Sequence, residues 1–435
     1  MPDLANVELE AGQPHQARLR HWLRASGSPY LATLFITVVL AQLAQYLWPT
    51  EVLVKGQPAA VVINFAGFGV AFALWWLYQP RDSWPPAFAW FMGAWALLWV
   101  VAVGLSVLHG DLFTLTAFLA PVGLVMIWLK KPSLNDTFRA GDAFIYGLVG
   151  IAVASQALDL FGVRASNFEG WSRIPGQTQV IEFAYRNIGA ILGDYSGPLA
   201  RWMGPFGNVN YAGPIGAFIF VYGLLRSGRR RVLFIAAGSL IVVLSDSRTS
   251  MLSCAAGVAA LIAIAPSLGA FRTPVWLRIA APAAAAVAFI GYISVIDPTL
   301  NQRTPVWEVF IALWRTSPVT GVGASGIQSV INSGTLESWA NHGHSILIDP
   351  LARYGLAGVA AVTVVILATG VLATRAARVG FAASAVLLAT CLADGFSEDL
   401  VDWRYLGVQA VPLMLAGMLG IQQSQKIKRA TGIIR

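Results

Sequence analysis

Two histidines stand at the start of an apolar stretch in the segment NHGHSILIDPLARYGLAG. His344 is followed directly by Ser345, and Gly355 and Gly358 come later in the same segment. A histidine that titrates near neutral pH can act as a general base, and glycines let neighbouring backbone approach closely. A polar cap at the start of a helix would show the same pattern. The spacing to Ser345 and the glycines favours His344 as the candidate base and leaves His342 as a loop neighbour.

An arginine lies in the short turn LSDSRTS between two closely joined apolar runs. Arg248 in this turn is costly at a membrane boundary unless it is paired or takes part in function. The neighbouring Asp246 is a candidate partner, so the sequence leaves a structural and a functional interpretation open.

A second arginine, Arg303, begins the segment NQRTPVWEVFIALWRTSPVTGVGASG. Its apolar residues have helical spacing, which predicts an amphipathic helix on the membrane surface. Trp307 and Trp314 in this helix are typical of anchors at the membrane interface. Arg315 belongs to the same surface and is a weaker candidate for function than Arg303.

Further polar residues occur close to apolar runs. Asn208 and Asn210 in GPFGNVNYAG can hydrogen-bond a sugar or a phosphate, although Gly and Asn are also ordinary turn residues. An acidic set late in the chain is suited to neutralising arginines on the same face or to being solvated, and we favour the structural role. This set consists of Asp394, Glu398, Asp399 and Asp402.

Several common enzyme motifs are missing from the sequence. It contains no P-loop for a nucleotide, no His-Glu-x-x-His zinc helix and no Asp-x-Asp pair. The absence of an Asp-x-Asp pair argues against glycosyltransferases that bind a metal ion through carboxylates. His342, His344 and Asp349 do not make a convincing set of metal ligands. We therefore expect no metal and no cofactor.

The elements that must position these residues are membrane helices. The 435 residues are 57% hydrophobic and only 11% charged, whereas soluble proteins carry about 25% charged residues. Repeated apolar runs of about 20 residues are long enough to cross a bilayer core of about 30 Å. The sequence therefore predicts an all-α polytopic membrane protein, one integral membrane domain over residues 1–435 with about twelve transmembrane helices. The predicted spans are 30–48, 59–79, 87–108, 112–129, 142–162, 211–226, 232–247, 249–266, 279–296, 355–374, 379–394 and 405–422.

The basic residues indicate which side each connection faces. The net charge of +8 comes largely from Lys and Arg clusters between apolar runs, which is typical of loops beside membrane lipids and not of nucleic-acid binding. The positive-inside rule then places both termini in the cytoplasm. It also places two long connections, residues 163–210 and 297–343, outside the cytoplasm, with short amphipathic helices in them. We expect the chemistry at that face.

Together these residues resemble the bacterial O-antigen ligase and O-antigen polymerase superfamily of membrane glycosyltransferases. The resemblance covers residues 204–358, the expected O-antigen ligase-like core region. It rests on four stretches in order: Phe206-Gly207-Asn208-Val209-Asn210; Ser247-Arg248; Arg303 with Trp307 and Gly321-Val322-Gly323; and His344-Ser345, then nine residues to Gly355 and two more to Gly358.

The resemblance implies metal-independent transfer of a glycan from undecaprenyl pyrophosphate to a hydroxyl acceptor, with inversion, at the periplasmic face of the bacterial inner membrane. It assigns contact with the pyrophosphate to Arg248 and Arg303, and activation of the acceptor hydroxyl to His344. The further candidates for substrate binding are Asn208, Asn210, Ser345 and Arg315. The two glycines of the signature, Gly355 and Gly358, are expected to be structural.

Two acceptors fit this chemistry. A ligase transfers the glycan to a sugar of the lipid A core in lipopolysaccharide biosynthesis. A polymerase transfers it to a second lipid-linked glycan and extends an O-antigen or an exopolysaccharide. The His-Ser pair favours the ligase. A lipid-linked glycan flippase is a more distant alternative, because transporters keep ionisable residues near the bilayer midplane, whereas here the polar residues collect at one face.

Overall fold

The computed structural model describes the chain in separate ranges that hold most of its helices. These ranges are residues 29–47, 57–77, 86–111, 119–130, 132–160, 177–178, 201–202, 204–206, 209–264, 284, 303–336, 340, 342–378, 380–396 and 410–430. Within them the chain is mostly α-helical. The helices are α1 (Pro29–Leu47), α2 (Gln57–Leu77), α3 (Pro86–Leu108), α4 (Leu119–Lys130), α5 (Leu134–Leu160), α6 (Val209–Leu224), α7 (Gly228–Ser245), α8 (Arg248–Ile264), α9 (Arg303–Thr316), α10 (Gly323–Asn332), α11 (Ile348–Ala377), α12 (Ala383–Gly395) and α13 (Ala410–Ala430).

The helices follow the apolar runs of the sequence. Each predicted span overlaps with a helix except 279–296, of which only Ala284 is among the described residues. Three segments of the described part are long and apolar enough to cross a membrane: Ala87–Leu108, Leu134–Ala157 and Ile348–Ala377. Helices suit this setting because they satisfy their own backbone polar groups where no water is present. The membrane class is supported, and the number of twelve spans stays a prediction.

Close helix packing builds one large apolar core, in which α6 and α7 form a tight pair. Gly238 of α7 faces α6, and a Cβ added there would overlap with the backbone at Phe220. Small residues allow helices to approach this closely in membranes. Large apolar side chains on other helices point outward, such as Trp76 and Trp90, which are 70% and 78% exposed. This arrangement fits a protein surrounded by lipid.

A buried carboxylate marks one end of the helix bundle. Asp142 of α5 accepts hydrogen bonds from Arg226 and Arg230, at 2.8 and 2.6 Å, in the turn between α6 and α7. Gln422 of α13 reaches the same end and donates to the carbonyl of Pro132 at 2.7 Å. These connections are among those predicted to face the cytoplasm. The candidate site residues lie at the opposite end of α6 and α7.

The first long connection contains a short sheet in addition to the helices of this mostly helical chain. Strand β1 (Gln177–Thr178) pairs in parallel with strand β2 (Arg201–Trp202), with Gln177 opposite Arg201. A 3-10 turn at Gly204–Phe206 follows and leads into α6. Two-residue strands have no periodicity that a sequence pattern can reveal.

The second long connection contains the predicted amphipathic helix as α9, followed by α10. Val306 and Phe310 on the apolar face of α9 are buried in a cluster that includes Ile327 of α10 and Ala352 of α11. This part of the amphipathic pattern therefore reflects packing within the protein. Contact of α9 with the membrane surface stays a prediction, because both arrangements produce the same spacing.

The C-terminal end of α3 holds this connection in place. The Asp111 carboxylate accepts hydrogen bonds from the N–H groups of Ala324 and Ser325, at 2.8 and 2.7 Å, in the first turn of α10. A carboxylate at this position satisfies unpaired backbone donors and interacts favourably with the helix dipole. The His109 ring contacts the carbonyl of Thr320 at 3.0 Å. The second long connection is thus fixed to a membrane helix.

Candidate active site

A tight turn between α7 and α8 forms one wall of the candidate site. Asp246 ends α7 in a left-handed conformation with φ of 46°, and Arg248 begins α8. The Ser247 hydroxyl accepts a long hydrogen bond from the N–H of Ser250, at 3.4 Å, and contacts the Ser250 hydroxyl at 2.9 Å. The start of a helix carries partial positive charge and N–H donors, which favours an anion at this turn.

Arginines from distant parts of the chain line one cavity beside this turn. The cavity has a volume of about 310 Å³. Arg248 is exposed there, and among the described residues no acidic side chain, including Asp246, lies within ion-pair distance of it. Pairing with Asp246, the structural interpretation of Arg248, is not observed. The lining residues are Arg201, Asn210, Asp246, Ser247, Arg248, Thr249 and Arg303.

Arg201 in this lining is a residue that the sequence did not single out. It lies in strand β2, and its Nε donates to the carbonyl of Ser245 at 3.0 Å. Its Nη2 donates to the carbonyl of Asp246 at 3.1 Å. These carbonyls end α7, where cationic side chains bind favourably. Backbone carbonyls leave no trace in side-chain patterns, so nothing in the sequence marked this arginine.

Neither histidine lines the cavity, and the histidine loop is connected to it through Tyr211. His344 has a left-handed backbone with φ of 45° and is 3% exposed. Its ring packs against that of His342, with centroids 4.0 Å apart. The hydroxyl of Tyr211, the neighbour of Asn210 in the chain, lies 3.5 Å from Nε2 of His342. A left-handed residue other than glycine costs energy, and such strain is concentrated at functional sites.

Bonds from two helices hold Gly343, which lies between the histidines. The indole N–H of Trp307 donates to its carbonyl at 2.7 Å, and its own N–H donates to the carboxylate of Asp349 at 2.9 Å. Arg353 also donates to both oxygens of that carboxylate, at 3.0 and 2.8 Å. The indole N–H of Trp307 therefore positions the histidine loop, whereas anchoring of Trp307 at the membrane interface stays a prediction.

The environment of His342 keeps its imidazole neutral. Burial is the main cause that lowers its pKa well below the ordinary value, and the neighbouring His344, Arg353 and Arg303 lower it further. A buried ring beside cationic groups disfavours a second positive charge. The influence of Arg303 also shows that the cavity and the histidine loop share one electrostatic environment. His342 belongs to the site, although its spacing alone indicated only a loop neighbour.

The glycines of the signature lie inside α11, which begins at Ile348 and not at the predicted 355. Gly355 has φ of 62° and interrupts the helix. The N–H groups of Leu356 and Ala357 donate instead to the carbonyls of Pro318 and Val319, at 2.9 and 3.2 Å. A Cβ on Gly355 would overlap with the Val319 carbonyl. Gly355 is needed for this close contact.

Some predicted residues are not brought to the cavity. Arg315 is exposed at the other end of α9, about 18 Å along the helix axis from Arg303. The Ser345 hydroxyl is buried and accepts a hydrogen bond from the N–H of Leu347 at 3.3 Å, which is a local turn. A Cβ on Gly358 would overlap with Tyr354, one turn earlier in α11.

The remaining predicted residues are only partly described. Asp394 is 2% exposed and accepts a long hydrogen bond from the Ser250 hydroxyl, at 3.4 Å, so it supports the turn between α7 and α8. Next to it, the carbonyl of Gly395 accepts a hydrogen bond from the N–H of Ile346 at 2.6 Å. The end of α12 therefore contacts both the turn between α7 and α8, through Ser250, and the histidine loop, through Ile346. Asn208, Glu398, Asp399 and Asp402 lie outside the described residues.

Comparison with known proteins identifies a family for the central part of the chain. Residues 215–363 match the family model described as O-antigen ligase. The matched segment contains Arg248, Arg303 and the two histidines, whereas Arg201 precedes it. A search of curated proteins gave no match to the chain.

Proposed function

We propose that this chain is an O-antigen ligase-like enzyme, because residues 215–363 match that family model, and that it transfers a glycan from undecaprenyl pyrophosphate to a hydroxyl of a lipid A core acceptor. One observation carries the proposal. Arg248 and Arg303, from separate helices, line one cavity with Asn210. The next residue, Tyr211, contacts His342, whose ring packs against that of His344. The candidate base is therefore connected to the arginine cavity through His342 and Tyr211.

The arginine wall suits the leaving group. As the bond between the anomeric carbon and the pyrophosphate oxygen breaks, its electron pair moves onto that oxygen and negative charge builds up there. Guanidinium groups fixed before the reaction stabilise this charge without rearranging. The start of α8 adds partial positive charge at the same place. Arg248 and Arg303 therefore act as binding and charge-stabilising groups for the pyrophosphate.

The histidine loop suits the acceptor. The acceptor oxygen attacks the anomeric carbon from the side opposite the pyrophosphate, and its proton passes to a ring nitrogen of His344. This displacement inverts the configuration at the anomeric carbon. The bonds on Gly343 hold the loop in place, so the ring is positioned before the acceptor arrives. Asn210 is suited to hydrogen-bonding the sugar or the diphosphate at the cavity wall.

We further propose that the site faces the periplasm from the bacterial inner membrane, with both termini in the cytoplasm. The support is the separation of the two ends of the bundle: the Asp142 cluster with Arg226 and Arg230 lies at one end and the cavity at the other. Basic connections remain in the cytoplasm during insertion. The polyprenyl chain of the donor can then stay in the bilayer while its diphosphate reaches the cavity.

Transfer by the purified protein tests these roles. With an undecaprenyl-pyrophosphate-linked glycan and lipid A core as substrates, we expect His344→Ala to reduce kcat about 10²–10⁴-fold, the usual contribution of a general base. Arg248→Ala and Arg303→Ala should each reduce kcat/KM about 10²-fold or more. Arg229→Ala, an exposed arginine at the other end of α7, is the matched control and should keep wild-type activity. Thermal unfolding verifies that each variant is folded.

The choice of acceptor separates the ligase from the alternatives. One sample receives lipid A core and a second lipid-linked glycan in parallel, and we expect product on lipid A core, as the family match favours. Product only on the lipid-linked glycan would assign a polymerase instead. Movement of the labelled donor across proteoliposomes without any transfer product would replace the enzyme by a flippase.

A further inference from the structure

We propose that Asp349 is a positioning residue for the proposed base, because it bonds to the backbone on both sides of His344. The inference rests on the proposed function, in which His344 accepts the proton of the acceptor hydroxyl. The Asp349 carboxylate accepts a hydrogen bond from the N–H of Gly343 at 2.9 Å. The Asp349 N–H donates to the carbonyl of Ser345 at 3.2 Å. Gly343 and Ser345 are the two neighbours of His344 in the chain.

The backbone of His344 is strained and needs this support. Its φ of 45° is a left-handed conformation, which costs energy in a residue other than glycine. A chain released at this point would relax to negative φ and carry the imidazole away from its present position. The two bonds of Asp349 lie on either side of His344 and oppose that rotation. Asp349 therefore fixes the direction in which the imidazole leaves the backbone.

The Asp349 carboxylate is itself held in one orientation. Asp349 is 3% exposed and lies in the first turn of α11. Arg353, one turn later in the same helix, donates from Nε to both carboxylate oxygens, at 3.0 and 2.8 Å. Charge pairs at this spacing are favourable in helices. A helix long enough to cross a membrane thus provides a fixed point for the histidine loop, and the base is positioned before the acceptor binds.

The histidine loop approaches Asp349 closely because residue 343 is a glycine. A Cβ added to Gly343 would lie 2.8 Å from the backbone nitrogen of Asp349 and 3.0 Å from its Cα. A side chain there would push the loop away from α11. Gly343→Ala therefore breaks the same contact from the other side, without changing Asp349.

The kinetics of transfer separate positioning from substrate binding. In Asp349→Ala the N–H of Gly343 loses its acceptor, and we expect kcat to fall about 10²-fold, the cost of misplacing a catalytic group by about 1 Å. KM for donor and acceptor should change less than about threefold, because the proposed role involves no contact with either substrate. Gly343→Ala should show the same pattern. Asp349→Asn keeps an oxygen for the N–H of Gly343 and should restore kcat to within about tenfold of wild type.

Asp136→Ala is the matched control. Asp136 is also a buried carboxylate in the first turn of a helix, α5, and it accepts a hydrogen bond from the N–H of Ser133 at 2.9 Å. It lies near Gln422, at the opposite end of the bundle from the histidine loop. Thermal unfolding should show a loss of stability in both alanine variants, whereas kcat should fall only in Asp349→Ala.

The remaining outcomes separate the possible failures. Equal loss of kcat in Asp349→Ala and Asp136→Ala, or an Asp349→Asn variant as slow as Asp349→Ala, would overturn the positioning role. If His344→Ala reduces kcat and Asp349→Ala does not, this inference alone fails. If neither variant reduces kcat, the assignment of His344 as the base fails as well. Should Asp349→Ala not fold, Asp349→Ser gives the same test, because serine suits a helix start but is one bond shorter than aspartate.

Discussion

At the level of residues, the two histidines have different surroundings although their rings touch. His344 has the strained backbone, and His342 lies between it and Tyr211 with its Nε2 3.5 Å from the tyrosine hydroxyl. Among the described residues, none makes a hydrogen bond with Nδ1 of His342. Within this part of the chain, the buried imidazole gains no hydrogen-bond partner at Nδ1 when it is protonated. Such a group links folding to pH.

Protonation of His342 should destabilise the protein in acid. Its pKa is lowered in the folded state by burial, His344, Arg353 and Arg303, whereas in the unfolded chain it is about 6.5. Below that value His342 binds a proton in the unfolded chain but not in the folded protein. The free energy of unfolding is therefore at its highest above about pH 6.5 and falls as the pH decreases. We expect the thermal unfolding temperature to fall between about pH 7.5 and about pH 5.5, and to fall less in His342→Gln. Identical pH dependence in both proteins would contradict this assignment.

The residues of the site differ in how well the sequence could reveal them. His344, Arg248 and Arg303 were predicted because charged or titratable side chains beside apolar runs are unusual. Arg201 and Tyr211 were not predicted. Arg201 bonds to two backbone carbonyls and Tyr211 contacts the ring of His342, and only the fold brings these partners together. Contacts of this kind have no characteristic spacing in the sequence.

At the level of elements, α11 shows where hydropathy fails to find the start of a helix. Its first turns contain Asp349, Pro350 and Arg353, which have the composition of a loop. Asp349 and Arg353 form an ion pair one turn apart, and proline is tolerated in the first turn of a helix. The helix therefore extends beyond its apolar part. The other helices follow their apolar runs more closely, so their positions could be predicted.

The break at Gly355 should be essential for folding of this region. Gly355→Ala places a Cβ against the Val319 carbonyl and requires an L-residue with φ of 62°, so we expect a loss of stability of at least about 1–3 kcal/mol. Gly370→Ala in the same helix is the matched control. Its added Cβ meets nothing closer than Leu388 at 3.9 Å, so it should be neutral or stabilise by up to about 1 kcal/mol. Thermal or denaturant unfolding of the two variants gives the comparison, and equal stability would refute the packing argument.

At the level of the whole molecule, the bundle has a basic end and a site end. The turn between α6 and α7 places Arg226 and Arg230 on Asp142 at the first, and the turn between α7 and α8 contributes Arg248 to the second. The alternation of apolar runs and basic connections predicts this polarity from the sequence. It could not predict the sheet of the first connection or the protein-covered face of α9, because both depend on contacts between distant segments.

Labelling of single cysteines tests the polarity. In a background with Cys254 and Cys391 replaced by alanine, Val319→Cys introduces a thiol at a side chain that is 64% exposed near the site end. Arg229→Cys introduces one at the basic end, where Arg229 is exposed. With a membrane-impermeant maleimide, we expect Val319→Cys to react in cells with permeabilised outer membranes and Arg229→Cys to react only in inverted vesicles. The reverse pattern would place the site in the cytoplasm.

The interrupted helix α11 also limits how the chain length can vary. The backbone N–H groups of Leu356 and Ala357 bond to Pro318 and Val319, which lie in another part of the chain. Inserting or deleting a single residue between 318 and 322 would shift these carbonyls past their donors and alter the angle at which the histidine loop meets the membrane helix. We therefore expect homologues whose second long connection differs in length to have their insertions and deletions outside the segment that corresponds to residues 318–322.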